Sequence, residues 1–290
     1  MVKAFIILLL AIGVFGSAAY WTYELFLRPH QELKEEQAMP PEPPPPDPSL
    51  PEFEKCLLIQ KGKDLFEART AFEHFIEQNP QSSKLEDARD RLGGINSTIF
   101  LSPMRAPEKE EYVVKSGDVL NKVAGRLKTT PELIMRSNRL SSTMLRIGQK
   151  LIVPTGEFSM NINKRSKLVT LFNRGKFFKQ YPIRTMPVPH AVPARKGASA
   201  VPPVKKLAGK VSEKIAWAAA GQRVTFAEKE YESAAHWIVS NVPGSTLYSD
   251  PDPESGLKPH KPPTGLGLAP EHMEELAALL RKGDPVTIEQ

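Results

Sequence analysis

The sequence predicts a multidomain α+β protein made of several small units. Three patterns predict it: an uncharged apolar run near the first residue, a tract rich in proline, and a compact strand–helix–helix–strand pattern followed by short alternating β segments. Because these patterns follow one another without overlap, we expect separate small cores rather than one large core. The expected units are a membrane anchor or signal segment at 1–27, a proline-rich linker at 28–52, a helical hairpin at 53–100, a βααβ module at 110–155 and a mostly β domain at 157–290.

The 290-residue chain has a formal net charge of +6 and a pI near 9.2, which describes a mildly basic surface. The sequence has no zinc-finger spacing, no basic region followed by heptads and no aromatic RNA-binding signature. We therefore expect no nucleic-acid partner, whereas an anionic membrane or cell wall fits the charge. The single cysteine, Cys56, excludes an intramolecular disulfide and a cysteine-based metal site, and no cofactor or metal is expected.

The run from Ala4 to Tyr23 contains no charged residue. At about 1.5 Å per helical residue it just spans a hydrocarbon core of about 30 Å, so we expect a transmembrane helix that anchors the chain. The rival interpretation is a signal peptide with a cleavage site at Gly16–Ala18. Either interpretation sends the rest of the chain into the export pathway. If residues 1–18 are cleaved, the protein is secreted.

The stretch from Ala38 to Pro51 reads AMPPEPPPPDPSLP, which predicts a stiff polyproline II spacer. Apolar residues then recur at helical spacing, with a break at Asn79–Pro80 and a predicted C-cap at Gly93–Gly94. This pattern predicts two helices that look similar to one tetratricopeptide-type hairpin. Cys56 is expected there as a half-buried structural thiol.

The segment YVVKSGDVLNKVAGRLKTTPELIMRSNRLSSTMLRIGQKLIVP predicts strand, helix, helix and strand in that order. Tyr112–Val114 is a short strand, and Ser116–Asp118 is a turn that can cap the first helix. Thr130 before a proline is a second N-cap. A turn at Arg146–Gln149 leads into the closing strand Lys150–Val153. Both strands lie at the ends of the segment and are free to pair.

This segment resembles the LysM family in its opening Tyr-x-Val-x-x-Gly-Asp, in Asn138 after the second helix and in its closing Leu-x-Ile-Gly-Gln-x-Leu-x-Val-Pro. The resemblance implies a βααβ fold that binds N-acetylglucosamine-containing glycans, such as peptidoglycan strands, in a shallow groove between two loops. The implied groove residues are Ser116, Gly117, Asp118, Val119, Leu145, Arg146 and Ile147. The alternative role is structural, with Gly117 and Gly148 needed for turn geometry and with core positions at Leu120, Ile147 and Leu151.

Alternating segments beyond residue 157 predict a mostly β domain. The strand candidates are Phe158–Asn163, Leu168–Phe172, Phe177–Ile183, Val224–Phe226, Trp237–Ser240, Thr246–Tyr248 and Pro285–Ile288. A helix is expected at Pro270–Arg281, ended at Gly283. The stretch from Arg184 to Lys210 is rich in Pro, Ala and Lys and predicts a long loop.

The domain, and above all its ending EHMEELAALLRKGDPVTI, resembles the L,D-transpeptidase catalytic domain of the YkuD type over residues 157–290. In that family a cysteine attacks the donor peptide and a histidine takes its proton, both in a Ser-His-Gly-Cys-x-Arg loop. Gly265 stands at the position of the cysteine, Pro263 at that of the histidine, and Tyr248 at that of an earlier family histidine. Because acyl transfer needs a nucleophile and a base, the resemblance implies a domain without catalytic residues.

Two other chemistries stay open for this domain. A serine–histidine arrangement is possible on paper, although no nucleophile-elbow spacing supports it. Its candidate residues are His236, His260 and His272, with Ser240, Ser249 and Ser255. The acidic turn with Asp250, Asp252 and Glu254 would bind a cation or supply a carboxylate pair, and a solvated loop is the commoner structure.

Three functional hypotheses follow. The first is a non-catalytic protein that binds peptidoglycan glycan strands through the module and uses the last domain for wall stem peptides or an envelope protein. Its expected location is the bacterial cell envelope, where the N-terminal helix anchors it in the inner membrane and the rest of the chain faces the periplasm or cell wall. The second is an active wall-remodelling enzyme with an unrecognised nucleophile, which predicts a polar, histidine-containing cleft around Gly265. The third is a structural linker, which predicts a clogged groove between Gly117 and Ile147.

Overall fold

A computed structural model of the chain describes residues 13–28, 47–187, 206–252 and 261–289. The chain divides into two compact units, Met1–Asp47 and Pro48–Gln290. In the first unit residues 13–28 are helical, with a π-helical turn at Tyr23–Leu27. Among the described helices, none has both the length and the apolar character that a membrane span requires. Residues 4–12 of the expected anchor and residues 38–46 of the proline tract lie outside the described residues.

The second unit begins with three helices where the sequence predicts a hairpin of two. They are α1 (Leu50–Lys61), α2 (Leu65–Gln78) and α3 (Leu85–Leu101). Helix α1 starts inside the expected linker, because Pro51 in a first helical turn lacks only an N–H that has no helical partner there. Asp64 separates α1 from α2, since its carboxylate caps α2 by accepting the backbone N–H groups of Phe66 and Glu67.

Aromatic side chains form the core of these helices. The ring centre of Phe53 in α1 lies 5.4 Å from that of Phe75 and 6.3 Å from that of Phe72, both in α2. Cys56 is fully buried beside them, with its thiol 3.5 Å from the carbonyl oxygen of Ala71. Burial raises the pKa of the Cys56 thiol, which keeps it protonated and unreactive, as a structural role requires.

Helix α3 continues through Gly93 and Gly94, so the predicted C-cap at this pair is wrong. Gly93 is buried, and a β-carbon there would lie 2.8 Å from Cγ of Lys179 in the sheet. Gly94 is exposed and has open space around it. The first glycine therefore serves the close approach of α3 to the sheet rather than the end of a helix.

The βααβ module follows these helices. It consists of β1 (Lys109–Val113), α4 (Leu120–Arg126), α5 (Pro131–Ser137) and β2 (Lys150–Pro154). The two strands pair antiparallel, as their places at the two ends of the segment predict. Thr130 caps α5 as expected, because its hydroxyl accepts the backbone N–H of Leu133. Asn138 ties α5 to β2 by accepting the N–H of Ile152 and donating to its carbonyl, each at 2.7 Å.

Within the described residues, the C-terminal part forms one sheet of nine strands with one α-helix. The elements are β3 (Phe158–Asn163), β4 (Leu168–Asn173), β5 (Lys176–Pro182), β6 (Lys206–Trp217), β7 (Arg223–Val224), β8 (Ala235–Ser240), β9 (Leu247–Ser249), β10 (Leu266–Leu268), α6 (Pro270–Leu279) and β11 (Pro285–Glu289). The strand order is β10-β9-β8-β6-β11-β3-β4-β5, with β7 paired to β6. The pairs β3–β11 and β9–β10 are parallel, and the others are antiparallel.

Two of these strands lie where the sequence predicts loop. Strand β6 begins inside the expected Arg184–Lys210 loop, and β10 begins directly after Gly265, one of the positions compared with the catalytic loop. Residues after β5 also pair with β10: Arg184 donates to the carbonyl of Gly267, and Gly267 donates to the carbonyl of Thr185, each at 2.8 Å. These bonds join the two ends of the strand order, so the sheet curls until its edges meet.

One apolar core joins the helices, the module and the sheet. Phe100 from α3 meets Phe158 and Phe178 edge to face, with ring centres 5.2–5.6 Å apart. Leu133 from α5 is buried in the same core. The helices and the module keep cores of their own as well, but the expectation of fully separate cores is wrong at this junction.

A buried carboxylate holds α3, α6 and β5 together. Glu275 of α6 accepts hydrogen bonds from the hydroxyls of Ser97 and Tyr181. Its other oxygen lies 2.7 Å from the ammonium of Lys179. Removing one partner of such a buried pair typically costs about 3–5 kcal/mol, because the other charge is left without compensation. The network therefore fixes how the helix pair sits on the sheet.

The adjacent glycines of α3 give a test of this packing. We expect Gly94→Ala to raise the free energy of unfolding by about 0.5–1 kcal/mol, because alanine favours helix and the site is open. Gly93→Ala is expected to lower it by about 1–3 kcal/mol, because the methyl group overpacks against Lys179. Urea unfolding of both variants measures the difference, and equal gains in the two variants would contradict the close approach.

Candidate functional site

Two loops of the module lie side by side at one end of its two-stranded sheet. The first follows β1 and contains Ser116–Val119, and the second precedes β2 and contains Leu145–Ile147. Val114 joins their bases, because its N–H donates to the carbonyl of Gln149 at 2.9 Å and its carbonyl accepts the N–H of Gly148 at 2.8 Å. The structure therefore brings together the two loops that the sequence predicts as groove walls.

Asp118 fixes the shape of the first loop. Its carboxylate accepts the hydroxyl of Tyr112 at 2.5 Å and the backbone N–H of Lys115 at 2.8 Å, and it pairs with Arg126. The hydrogen bond from Tyr112, followed by that from Lys115, lowers the pKa of the Asp118 carboxyl. The predicted N-cap is wrong in detail, because Val119 is the N-cap residue of α4 and Asp118 bonds the turn instead of the helix. Asp118 acts as a positioning residue.

Glycines allow both loops to turn tightly. Gly117 and Gly148 each have a φ of +82°, in the left-handed region where side chains are strained, and both are surrounded by open space. Their role in turn geometry is confirmed. Ser116 and Arg146 are exposed next to them. Within the described residues the backbone N–H groups of Gly117 and Ile147 have no protein acceptor, so they are available to a ligand.

Apolar side chains project from the same loops. Val119 is 52% exposed, Met144 82% and Ile147 74%. Leu120 and Leu151 are buried as expected, but Ile147 is not, so the alternative core role is wrong for that residue. Sequence reasoning missed Met144, although an isolated methionine in the polar run SSTML is the available signal. Leu145 is half-buried and supports the second loop from beneath.

Two of the three positions compared with catalytic residues of L,D-transpeptidases are enclosed by other protein atoms. Gly265 is buried, and a β-carbon there would lie 2.7 Å from Cγ of Pro262, 2.8 Å from the carbonyl oxygen of Thr246 and 3.0 Å from the ring of Tyr248. Tyr248 is itself buried in β9, whereas Pro263 is exposed. The described surroundings of Gly265 are therefore filled, and a cysteine side chain would displace backbone atoms.

Polar groups near Tyr248 are bonded to one another. The carboxylate of Asp250 accepts the hydroxyl of Thr185 at 2.5 Å and lies 3.7 Å from the ammonium of Lys261. Arg184 donates to Asp252 at 2.7 Å. Within the described residues these two carboxylates are used by cations and a hydroxyl of the chain itself. Glu254, the third acidic residue of this turn, lies outside the described residues.

The two candidate histidines within the described residues, His236 and His272, lie in packed surroundings. The ring centre of His272 lies 5.4 Å from that of Tyr181. His236 is buried in β8 with its ring centre 4.8 Å from that of Tyr231, and its Nε2 atom has no hydrogen-bond partner in the described part of the chain. Ser249 bonds the backbone of His236 rather than its imidazole, and the Ser240 hydroxyl bonds Ser245. His260 and Ser255 lie outside the described residues.

Comparison with known protein families covers the whole module. Residues 112–154 match the LysM domain family. The match runs from Tyr112 in β1 to Pro154 in β2, so it includes both helices and both exposed loops. These residues are called the LysM segment below.

Solved structures similar to the chain include L,D-transpeptidases. An L,D-transpeptidase from Mycobacterium smegmatis is 13% identical with a TM-score of 0.29, over 50% of this chain and 65% of that one. One from Stackebrandtia nassauensis is 18% identical with a TM-score of 0.28, over 46% and 55%. A mutant of the Enterococcus faecium enzyme is 16% identical with a TM-score of 0.27, over 46% and 49%. The chain thus spans less than two thirds of each of these proteins. No curated protein matches it.

The buried imidazole of His236 predicts a dependence of stability on pH. Burial, and then the neighbouring cations Arg136 and Lys214, lower its pKa to about 4. The unfolded chain binds a proton at this histidine below about pH 6.5, whereas the folded chain does not until about pH 4, so stability falls as pH falls between these values. We expect His236→Phe to lack this loss, with a difference of up to about 3 kcal/mol. Urea unfolding from about pH 7 to about pH 4 measures it, and parallel profiles would contradict it.

Proposed function

We propose that the chain is a peptidoglycan-binding protein of the bacterial cell envelope. Its LysM segment binds N-acetylglucosamine-containing glycan at the end where the two loops meet. The observation that carries this proposal is the set of exposed apolar side chains at Val119, Met144 and Ile147, next to backbone amides that lack protein partners. Apolar side chains cover the faces of sugar rings, and free amides hydrogen-bond acetamido groups.

The exposure of these side chains has an energetic consequence. Each Å² of apolar surface removed from water contributes roughly 25 cal/mol, so a sugar lying on Met144 and Ile147 gains stability without displacing any protein contact. Contiguous exposed apolar side chains commonly mark binding sites. An open pair of loops also speaks against the hypothesis of a structural linker with a clogged groove.

The face of helix α5 that packs against the C-terminal part is not available to a ligand. Leu133 is buried in the shared core, the Thr130 hydroxyl donates to the carbonyl of Ala278, and Arg136 pairs with Glu274. We assign glycan binding to Ser116, Gly117, Val119, Met144, Arg146 and Ile147, with Leu145 supporting the second loop. Asp118 holds the first loop in place instead of contacting the sugar.

For the C-terminal sheet we propose a role in binding without acyl transfer. The absence of space for a side chain at Gly265 supports this proposal, as does the burial of Tyr248. An active wall-remodelling enzyme with an unrecognised nucleophile is the alternative. Among the described residues no specific contact favours it, because the hydroxyls of Ser240 and Ser249 are bonded to protein groups other than imidazoles.

The location in the cell is part of the proposal. Binding to peptidoglycan requires that the LysM segment reach the periplasm or the outside of the cell. A tether through residues 1–27 to the inner membrane stays a prediction, as does removal of residues 1–18 by cleavage. Cosedimentation of the native protein with membranes distinguishes the two.

Point variants in the loops test glycan binding. We expect Ile147→Asp to weaken binding of the whole chain to purified peptidoglycan sacculi at least about tenfold, because it removes an apolar contact and places a charge against the sugar face. Cosedimentation over a range of sacculus concentrations measures the affinity. Point variants are preferable to removal of the segment, because loss of Leu133 would open the shared core.

A matched control is Leu58→Asp, which changes an apolar side chain that is 66% exposed in α1. This variant is expected to bind sacculi like the wild type. Equal binding by the wild type and Ile147→Asp would place the glycan site elsewhere, and a wild-type chain that does not sediment with sacculi would refute the proposed function.

A further inference from the structure

A second cleft lies directly beside the proposed glycan loops. It has a volume of about 840 Å³ and separates the LysM segment from the stretch between β7 and β8. Its walls include Met135, Arg139, Leu140 and Thr143 on one side and Phe226 and Lys229 on the other. Clefts that hold small ligands have volumes of roughly 300–1,000 Å³, so this one accommodates several amino-acid residues.

The acidic groups of the cleft are already bonded. Glu132 lies 3.2 Å from the ammonium of Lys214 and accepts the hydroxyl of Tyr231 at 3.2 Å. Glu228 accepts both the N–H and the hydroxyl of Thr225 at 2.8 Å, which lowers the pKa of its carboxyl. The third acidic residue of the cleft, Glu274, pairs with Arg136. Cations therefore compensate Glu132 and Glu274, whereas Thr225 holds Glu228 in place without removing its charge.

Two cations of the cleft remain available. Arg139 and Lys229 are exposed on opposite walls, and neither forms an ion pair within the described residues. Arg139 lies just after the end of α5, where its backbone has a φ of +52°. Within the described residues, the cleft groups without an ion pair are the two cations and the single carboxylate of Glu228, so an excess of positive charge remains that fits a ligand with carboxylates.

One wall of the cleft and the second glycan loop belong to the same stretch of chain. Thr143 lines the cleft, and Leu145 of the glycan loop follows only two residues later, within about 7 Å at full extension. Leu140, Met135 and Phe226 add apolar surface that suits small alkyl side chains. A substituent on a sugar bound at the loops can therefore extend into the cleft.

We propose that this cleft binds the short acidic peptide attached to the peptidoglycan glycan, through carboxylates that pair with Arg139 and Lys229. The proposal rests on the proposed function, because the glycan on the loops brings the peptide to the cleft. The LysM segment and the β7–β8 stretch then form one composite site, which binds the branched polymer more tightly than the bare sugar chain.

Calorimetric titration of the whole chain tests this inference with three ligands. They are an oligosaccharide of alternating N-acetylglucosamine and N-acetylmuramic acid, the same oligosaccharide with its peptide, and the peptide form with its carboxylates amidated. We expect the peptide form to bind about fivefold more tightly than the other two, since each exposed ion pair contributes modestly. The amidated ligand removes the charge without altering the protein, so this comparison does not depend on how a variant folds.

The double variant Arg139→Ala/Lys229→Ala is expected to lose the gain from the peptide and keep the affinity for the bare oligosaccharide. Arg174→Ala/Lys176→Ala is the matched control, because both residues are exposed and Arg174 has a φ of +51°, like Arg139. This control is expected to keep the full gain.

The outcomes separate the two proposals. Equal affinity for all three ligands would overturn the peptide site and leave glycan binding intact. If no ligand binds, the proposed function fails and the peptide site fails with it. If poly(glycerol phosphate) binds to the wild type and not to the double variant, while the peptide adds no affinity, the cleft recognises an anionic wall polymer and the proposal is wrong.

Discussion

The structure depends on one shared apolar core at the junction of three parts of the chain. Phe100 from the helices, Leu133 from the LysM segment and Phe158 and Phe178 from the sheet pack into it. Interiors are packed as densely as organic crystals, so none of these elements can shift without opening a cavity. The buried network around Glu275 adds a polar constraint at the same place. The LysM segment is therefore packed into one compact unit with the helices and the sheet.

This packing determines which surface of the LysM segment stays accessible to a ligand. Docking through Leu133, Thr130 and Arg136 covers one face of α5, and it leaves the two glycine-containing loops at the end of β1 and β2 in solvent. The same docking creates the cleft between the segment and the sheet, since both of its walls belong to parts that the core holds together. A binding surface and a neighbouring cleft in fixed geometry suit a branched polymer, because little order has to be gained on binding.

Local patterns made the LysM segment predictable from the sequence. Three of its features depend on residues within this short segment, so the sequence predicts them directly. They are the N-cap at Thr130, the antiparallel pairing of the end strands and the tight turns at Gly117 and Gly148. Most strands of the C-terminal sheet also agree with the predicted segments to within two residues at each end. Alternation of apolar and polar residues predicts such strands wherever one face is buried.

The sequence predictions that are wrong concern features that depend on contacts between residues far apart in the chain. The Gly93–Gly94 pair looks like the end of a helix in the sequence. The structure instead needs a glycine at position 93 because Lys179 lies close to it, and no local pattern reveals that contact. Strand β6 follows a run of Pro, Ala and Lys and is half-exposed along much of its length, so its apolar signal is weak. Glu275 lies in an acidic run that suggests a solvated helix face, yet partners 178 and 96 residues away bury it. The exposure of Ile147 and Met144 likewise depends on which side of the segment the core covers.

The most direct measurement is a map of backbone amide chemical shifts in the isotope-labelled chain during titration with an N-acetylglucosamine oligomer. Our account predicts shift changes at residues 116–119 and 144–148, where amides and apolar side chains are open to solvent, and none along α5. Changes confined to β9 and β10, or no changes at all, would contradict the assignment of the glycan site to the two loops.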